Sequence, residues 1–128
     1  MKRVTGIGGI FFKSKNPEKL QAWYQKHLGI APKPDGCVAF EWREHEQPEQ
    51  VGHTIWSPFP QDTKYFDPTT APFMINYRVA DLDQLLKQLR SEGVHVEDRI
   101  EESEFGRFAW ITDPEGTRME LWEPPKKG

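Results

Sequence analysis

The stretch FMINYRVADLDQLLKQLRSEG, residues 73–93, carries two different periods one after the other. Phe73, Ile75, Tyr77 and Val79 alternate with Met74, Asn76 and Arg78, the period of two that belongs to a β-strand with one apolar face. Asp81 then stands where a helix needs an N-cap, because its carboxylate accepts from the unpaired amides of the first turn. Leu82, Leu85, Leu86 and Leu89 follow on one helical stripe, and Gly93 ends the helix. A strand thus hands the chain directly to an amphipathic helix.

The same plan occurs upstream. Ile7 to Lys13 reads as a strand with Ile10 and Phe12 on one face. Asn16-Pro17 starts a helix, since Asn caps and Pro suits the first helical position. Leu20, Trp23, Tyr24, His27 and Leu28 form its apolar stripe, which assigns Tyr24 to core support, and Gly29 terminates it. The two caps, Asn16 and Asp81, are 65 positions apart; the two glycines are 64 apart.

The later strands correspond as well. Val38 to Trp42 and Phe108 to Thr112 alternate, and Val94 to Val96 offers a further short strand in the second half. GHTIWSP at 52–58 aligns with TRMELWEP at 117–124, pairing Trp56 with Trp122 and Pro58 with Pro124, each 66 positions apart. Asp113-Pro114-Glu115-Gly116 is a strong turn before the last strand. The polar, proline-bearing segment from Pro60 to Pro72 separates the copies. The chain therefore reads as one α+β domain over residues 1–128. It holds two βαβββ modules, about 1–59 and 73–125, joined by a linker over 60–72.

Composition narrows the function. A chain of 128 residues is ordinary for one domain. Aromatics make up 12%, and such rings serve both a small core and the walls of a small-molecule pocket. The net charge of −3, with dispersed basic residues and only Lys126 and Lys127 as a short basic tail, argues against nucleic acid. No apolar run approaches the roughly 20 residues of a membrane span. Met1-Lys2-Arg3 is followed by a glycine-rich stretch and Lys13 rather than a signal-peptide core, so the cytoplasm is expected. The single cysteine, Cys37, forms no internal disulfide, fits a reducing compartment and reads as a structural thiol. Gly6-Ile7-Gly8-Gly9 is no dinucleotide fingerprint, lacking the third glycine; it reads as a bulge or close approach where the modules meet.

Trp23-Tyr24, Leu28-Gly29, Val79-Ala80-Asp81-Leu82, Phe105-Gly106-Arg107 and the run from Asp113 to Trp122 together resemble the vicinal oxygen chelate superfamily, which holds the glyoxalases, bleomycin-resistance proteins and extradiol dioxygenases. The resemblance implies paired curved sheets that enclose a cup. It also implies four metal ligands on the cup face, drawn from the first and last strand of each module, where the metal acts as a Lewis acid. In this chain those positions carry Gly9, Thr54, Met74 and Glu120. Only Glu120 suits a hard divalent ion. No metal or other cofactor is therefore expected; the alternative is a divalent metal held by Glu120 with His53.

Two functions follow. The first is a small-molecule binding protein, like the bleomycin-resistance relatives, whose apolar or aromatic ligand lies in a metal-free cup. Trp56, Met74, Asn76, Arg78, Trp110 and Trp122 would line it, with Arg78 and Glu120 as polar anchors. The second is a glyoxalase-like lyase or isomerase, or a dioxygenase relative, with Glu120 as base or metal ligand and Arg78 steering an anionic substrate. A homodimer is expected in either case, because short paired sheets leave edges that need covering.

Overall fold

The computed structural model describes residues 3–33 and 38–125; Cys37, Lys126 and Lys127 lie outside them. The first module runs β1 (Val4–Ser14), α1 (Pro17–Leu28), β2 (Val38–Arg43) and β3 (Val51–Pro60). The second runs β4 (Phe73–Val79), α2 (Leu82–Ser91), β5 (His95–Val96), β6 (Glu101–Ser103), β7 (Gly106–Thr112) and β8 (Arg118–Glu123). Both helix starts obey their local chemistry. Asn16 Oδ1 accepts from Lys19 N and Asp81 Oδ1 from Gln84 N, each at 3.1 Å. Gly29 closes α1 with φ +70°. Among the described residues no helix is long and apolar enough to cross a membrane.

The strands form one curved, unclosed sheet in the order β2-β3-β1-β4-β8-β7-β5, with β6 also on β7. Each module's first and last strands run parallel, β1 beside β3 and β4 beside β8. The antiparallel pair β1–β4 joins the modules within one chain. Its register shifts twice, between Val4 and Gly6 and between Ile7 and Gly9, which puts the bulge in the glycine-rich stretch. The repeat is unequal. After α1 the described residues hold two strands where three were expected, whereas four short strands follow α2.

Packing is unequal too. Leu82, Leu85, Leu86 and Leu89 of α2 are buried against Val79, Ala109, Ile111 and Leu121. Helix α1 buries no residue, and Trp23 and Leu28 are exposed. Its Tyr24 reaches the sheet by an edge-on contact with Trp56, centroids 4.9 Å apart. Between the helices, Ile7, Ile10 and Phe73 of the central strands stay about two-fifths exposed (40%, 43% and 41%). On the opposite face, Met74 and Trp110 are buried with Phe66, and Phe11, Phe59, Tyr65 and Phe108 pack around them. Tyr65 and Phe66 come from the segment expected to be a polar linker, so that segment folds into the cup and completes a second core.

Gly106, at φ +117°, begins β7 where the chain crosses Glu123 of β8. A Cβ there would lie 2.2 Å from the Glu123 carbonyl oxygen, whereas at Gly116 (φ +84°) nothing lies within 4 Å. Gly116→Ala should cost about 1–2 kcal/mol from the left-handed backbone alone, and Gly106→Ala distinctly more. Urea midpoints that rank the two variants equally would show that the β7–β8 crossing yields freely.

Candidate functional site

The ladders fix the centre of the cup. Gly9 pairs with Ile55 across β1–β3 and with Asn76 across β1–β4, and Asn76 pairs with Glu120 across β4–β8. These four residues are therefore the equivalent inward positions of the two modules. Sequence alignment on the tryptophans had placed Thr54 and Met74 there instead. In β3 the ladder sets Ile55, one residue further along, opposite Gly9. Thr54 instead accepts from Trp42 Nε1 at 2.8 Å and donates to the Ile7 carbonyl at 2.6 Å. Met74 sits one inward place along β4 from Asn76, opposite Phe11, and is fully buried.

Glu120 is 2% exposed, and both its oxygens are held. Oε2 accepts from the Tyr65 hydroxyl and from Trp110 Nε1 at 3.0 Å; Oε1 accepts from Asn76 Nδ2 at 2.5 Å. Burial lifts the Glu120 carboxyl above the usual carboxylate range, against the pull of these three donors and of the Arg118 charge. Burial, and then the Glu120 charge, push the Tyr65 hydroxyl well above its ordinary value. Phe59 stacks on the Tyr65 ring at 5.6 Å and 11°, and Trp110 meets it edge-on at 6.4 Å. Arg118 pins the same segment from behind. Its Nη1 donates to the Tyr65 carbonyl at 2.5 Å, while Nε and Nη2 grip Glu97 at 2.7 and 2.9 Å. The Arg118 guanidinium lies 5.0 Å from the Trp110 ring. This end of the cup is filled by the protein's own side chains.

The donor set was tested against the divalent metal that the superfamily implies. Gly9 and Ile55 offer no side-chain donor atom, Asn76 donates from Nδ2 to Glu120 and leaves a single buried Oδ1 without a partner, and both Glu120 oxygens already accept hydrogen bonds. Among the described residues, no group of three His, Cys, Asp or Glu side chains could hold a metal ion. The residues present do not fit such an ion, which wants three or four protein ligands. His53, the suggested companion of Glu120, lies on β3, with β1 and β4 between it and β8. Its nearest acid is Glu41, at 3.6 Å.

The other end of the sheet is open. A cleft of about 790 Å³ is lined by Arg78, Trp122, Glu44, Thr5 and His53, with the β2–β3 loop above. Arg78 was expected beside Glu120, but its ladder partner is Trp122. Its charge is met instead by Glu44: Arg78 Nη1 donates to Glu44 Oε1 at 3.0 Å and to Thr5 Oγ1 at 2.7 Å. The guanidinium lies 5.5 Å from the centroid of Trp42. That ring crosses Gly6 and Gly52, where a Cβ would come within 2.3 and 2.4 Å of it. Trp122 stacks on Phe108 at 6.3 Å and 11° and donates from Nε1 to the Phe105 carbonyl at 2.7 Å.

Of the residues expected to line one cup, Met74, Asn76, Trp110 and Glu120 are brought together, but in the filled end. Arg78 and Trp122 share the open cleft. Trp56 joins neither, because it points to the helix side against Phe12 and Tyr24. Sequence reasoning missed Tyr65, Phe66, Trp42 and Glu44. The adjacent rings of Tyr65-Phe66 inside a polar stretch were the available signal for the first two. A second, shallow groove of about 600 Å³ runs along α1 from Ser14 to Tyr24, outside the cup.

A family model described as a glyoxalase-like domain matches residues 9–122. No curated protein matches. Among solved structures, methylmalonyl-CoA epimerase from Mycobacterium tuberculosis is 21% identical, with 98% of this chain and 92% of that chain covered and a TM-score of 0.61. A variant of the Streptomyces coelicolor methylmalonyl-CoA epimerase, in complex with 2-nitronate-propionyl-CoA, is 16% identical, with 96% and 99% covered and a TM-score of 0.69. A chain described as NAD-dependent benzaldehyde dehydrogenase from Legionella pneumophila is 16% identical, with 91% and 98% covered and a TM-score of 0.59. At these identities the structures speak for the fold alone. The family match over residues 9–122 carries the conclusion: the chain belongs to the glyoxalase-like domain family, within the vicinal oxygen chelate superfamily.

Proposed function

We propose that this protein binds a small apolar or aromatic molecule, without metal, in the open cleft between Trp122, Arg78 and the β2–β3 loop. The observation that carries this reading is the state of Glu120. A general base must reach the proton it abstracts, and a metal ligand must present a free lone pair outward. Glu120 does neither while Tyr65, Asn76 and Trp110 hold its two buried oxygens. The cleft offers a ligand space beside the Trp122 indole, among polar and charged side chains that include Arg78, Glu44 and Glu123. We further propose a homodimer that covers the exposed apolar strip of Ile7, Ile10 and Phe73. The single cysteine fits a reducing, cytoplasmic setting.

Three measurements test these statements. A screen of planar aromatic compounds by tryptophan fluorescence and calorimetry should yield a saturable binder, and Trp122→Leu should weaken it about tenfold or more. A binder equally tight in that variant would move the site elsewhere.

The second concerns Glu120. Because burial raises its carboxyl pKa, the folded state holds that proton more tightly than the unfolded chain does. The stability this contributes is complete below the ordinary value of 4.5 and is lost as pH rises through the folded value. Relative to Glu120→Gln, the wild-type protein should therefore lose unfolding free energy as pH rises above 4.5. Ligand affinity at neutral pH should change little. A pH-independent difference between the two would show that the donors around Glu120 fully offset its burial.

Sedimentation should show a dimer that Ile10→Glu dissociates. A wild-type monomer would remove the dimer from this account.

A further inference from the structure

We propose that the cleft selects neutral planar carbonyl compounds, such as aromatic ketones, lactones or amides, over the corresponding carboxylates. This deepens the binding reading above and rests on it. The starting point is the charge balance at the cleft floor. Arg78 is already neutralised by Glu44 at 3.0 Å, and the pair is shielded, with side chains only 12% and 17% exposed. Glu123 also lines the cleft, and its Oε1 accepts from Leu82 N at 2.8 Å, at the first turn of α2. Glu46 adds a third carboxylate at the rim. Among the described residues, the lining therefore holds three carboxylates and one guanidinium. A ligand carboxylate would enter beside Glu44 and Glu123 and share a cation that is already matched. Desolvating a charge without a counter-charge of its own is costly. A neutral carbonyl asks only for a donor.

That donor is in place. Arg78 uses Nη1 for both Glu44 and Thr5, and its Nε and Nη2 make no hydrogen bond among the described residues. A guanidinium directs its N–H groups in its own plane, and here the Nη1 bonds to Glu44 and Thr5 hold the group, with the Trp42 ring 5.5 Å away. The carbonyl is therefore wanted at one edge, in plane. The flat remainder of the ligand has its wall beside that edge, because Trp122 is the ladder partner of Arg78 on the neighbouring strand. Phe108 stacks on the Trp122 indole and Gly8 lies against its six-membered ring, so the ligand ring would take the part of the indole that lines the cleft, with Pro124 and Pro125 beside it.

The test uses three probes of one shape on the full chain at neutral pH: 2-acetylnaphthalene, 2-naphthoate and 2-ethylnaphthalene. Fluorescence titration should rank the ketone about tenfold tighter than the hydrocarbon, the gain expected of one hydrogen bond to a charged donor. The carboxylate should bind more weakly than the ketone. Arg78→Lys keeps the charge and removes the planar fork, and should erase the advantage of the ketone over the hydrocarbon. If that variant fails to fold by circular dichroism, the ranking on the wild-type protein decides. A carboxylate that binds as tightly as the ketone would overturn the selectivity while leaving the cleft a binding site. If none of the three probes binds, the cleft is no site for flat aromatic ligands, and both readings fall.

Discussion

A carboxylate buried to 2% exposure is the constraint around which the rest of the cup is arranged. Removing such an ion from water costs several kcal/mol, and hydrogen bonds to a charged group return about 1.5–3 kcal/mol each. Three donors offset part of that cost, though burial still lifts the carboxyl above its usual range: Asn76 from the neighbouring strand, Trp110 from β7 and Tyr65 from the segment between the modules. The first two come with the sheet. The third requires residues 61–72 to fold over the cup, which brings Phe66 into the core with Tyr65 and gives Arg118 a backbone carbonyl to hold. One buried charge thus accounts for the closed end of the cup, for the packing of the inter-module segment and for the position of the cleft at the other end.

The fold was legible to the extent that it was written in period and punctuation. The alternation in β4, the leucine stripe of α2 and the caps at Asn16 and Asp81 each state a local rule that tertiary packing did not override. The repeat was legible because its offset stayed near 65 across unrelated features. The same offset misled at the last strands. Matching Trp56 to Trp122 seemed natural, yet the ladders match Ile55 to Glu120. Nothing in a single sequence states strand register to one residue, and that one residue moved Trp56 out of the cup.

The site was legible only where a local pattern implied a face. Glu120 between Met119 and Leu121 marked itself as inward. Its partners did not, because Tyr65 is 55 positions away in a segment whose composition reads as a loop. Arg78 was recognised as a polar residue on an inward face, but the partner assigned to it was wrong. Glu44 lies beyond the end of β2, and only the folded β2–β3 loop brings it to 3.0 Å from Arg78. Long-range polar pairs depend on loop geometry, which period and propensity do not encode.

The two modules have divided the work unequally, and the division bears on function. Module two buries its helix and supplies Asn76, Trp110 and Glu120. Module one keeps its helix at the surface and contributes Gly9 and Ile55 at the inward positions where donors would be needed. A site that needed symmetric chemistry from both halves is not available in such a sheet. What module one does contribute is the Trp42 ring, Glu44 and the β2–β3 loop, set against Arg78 and Trp122 of module two. The cleft is thus the place where both halves still cooperate, and their cooperation there is one of shape, stacking and a single shielded ion pair. That combination is what the proposed reading asks of a site for a flat neutral molecule, an aromatic ring beside a guanidinium whose charge is already matched.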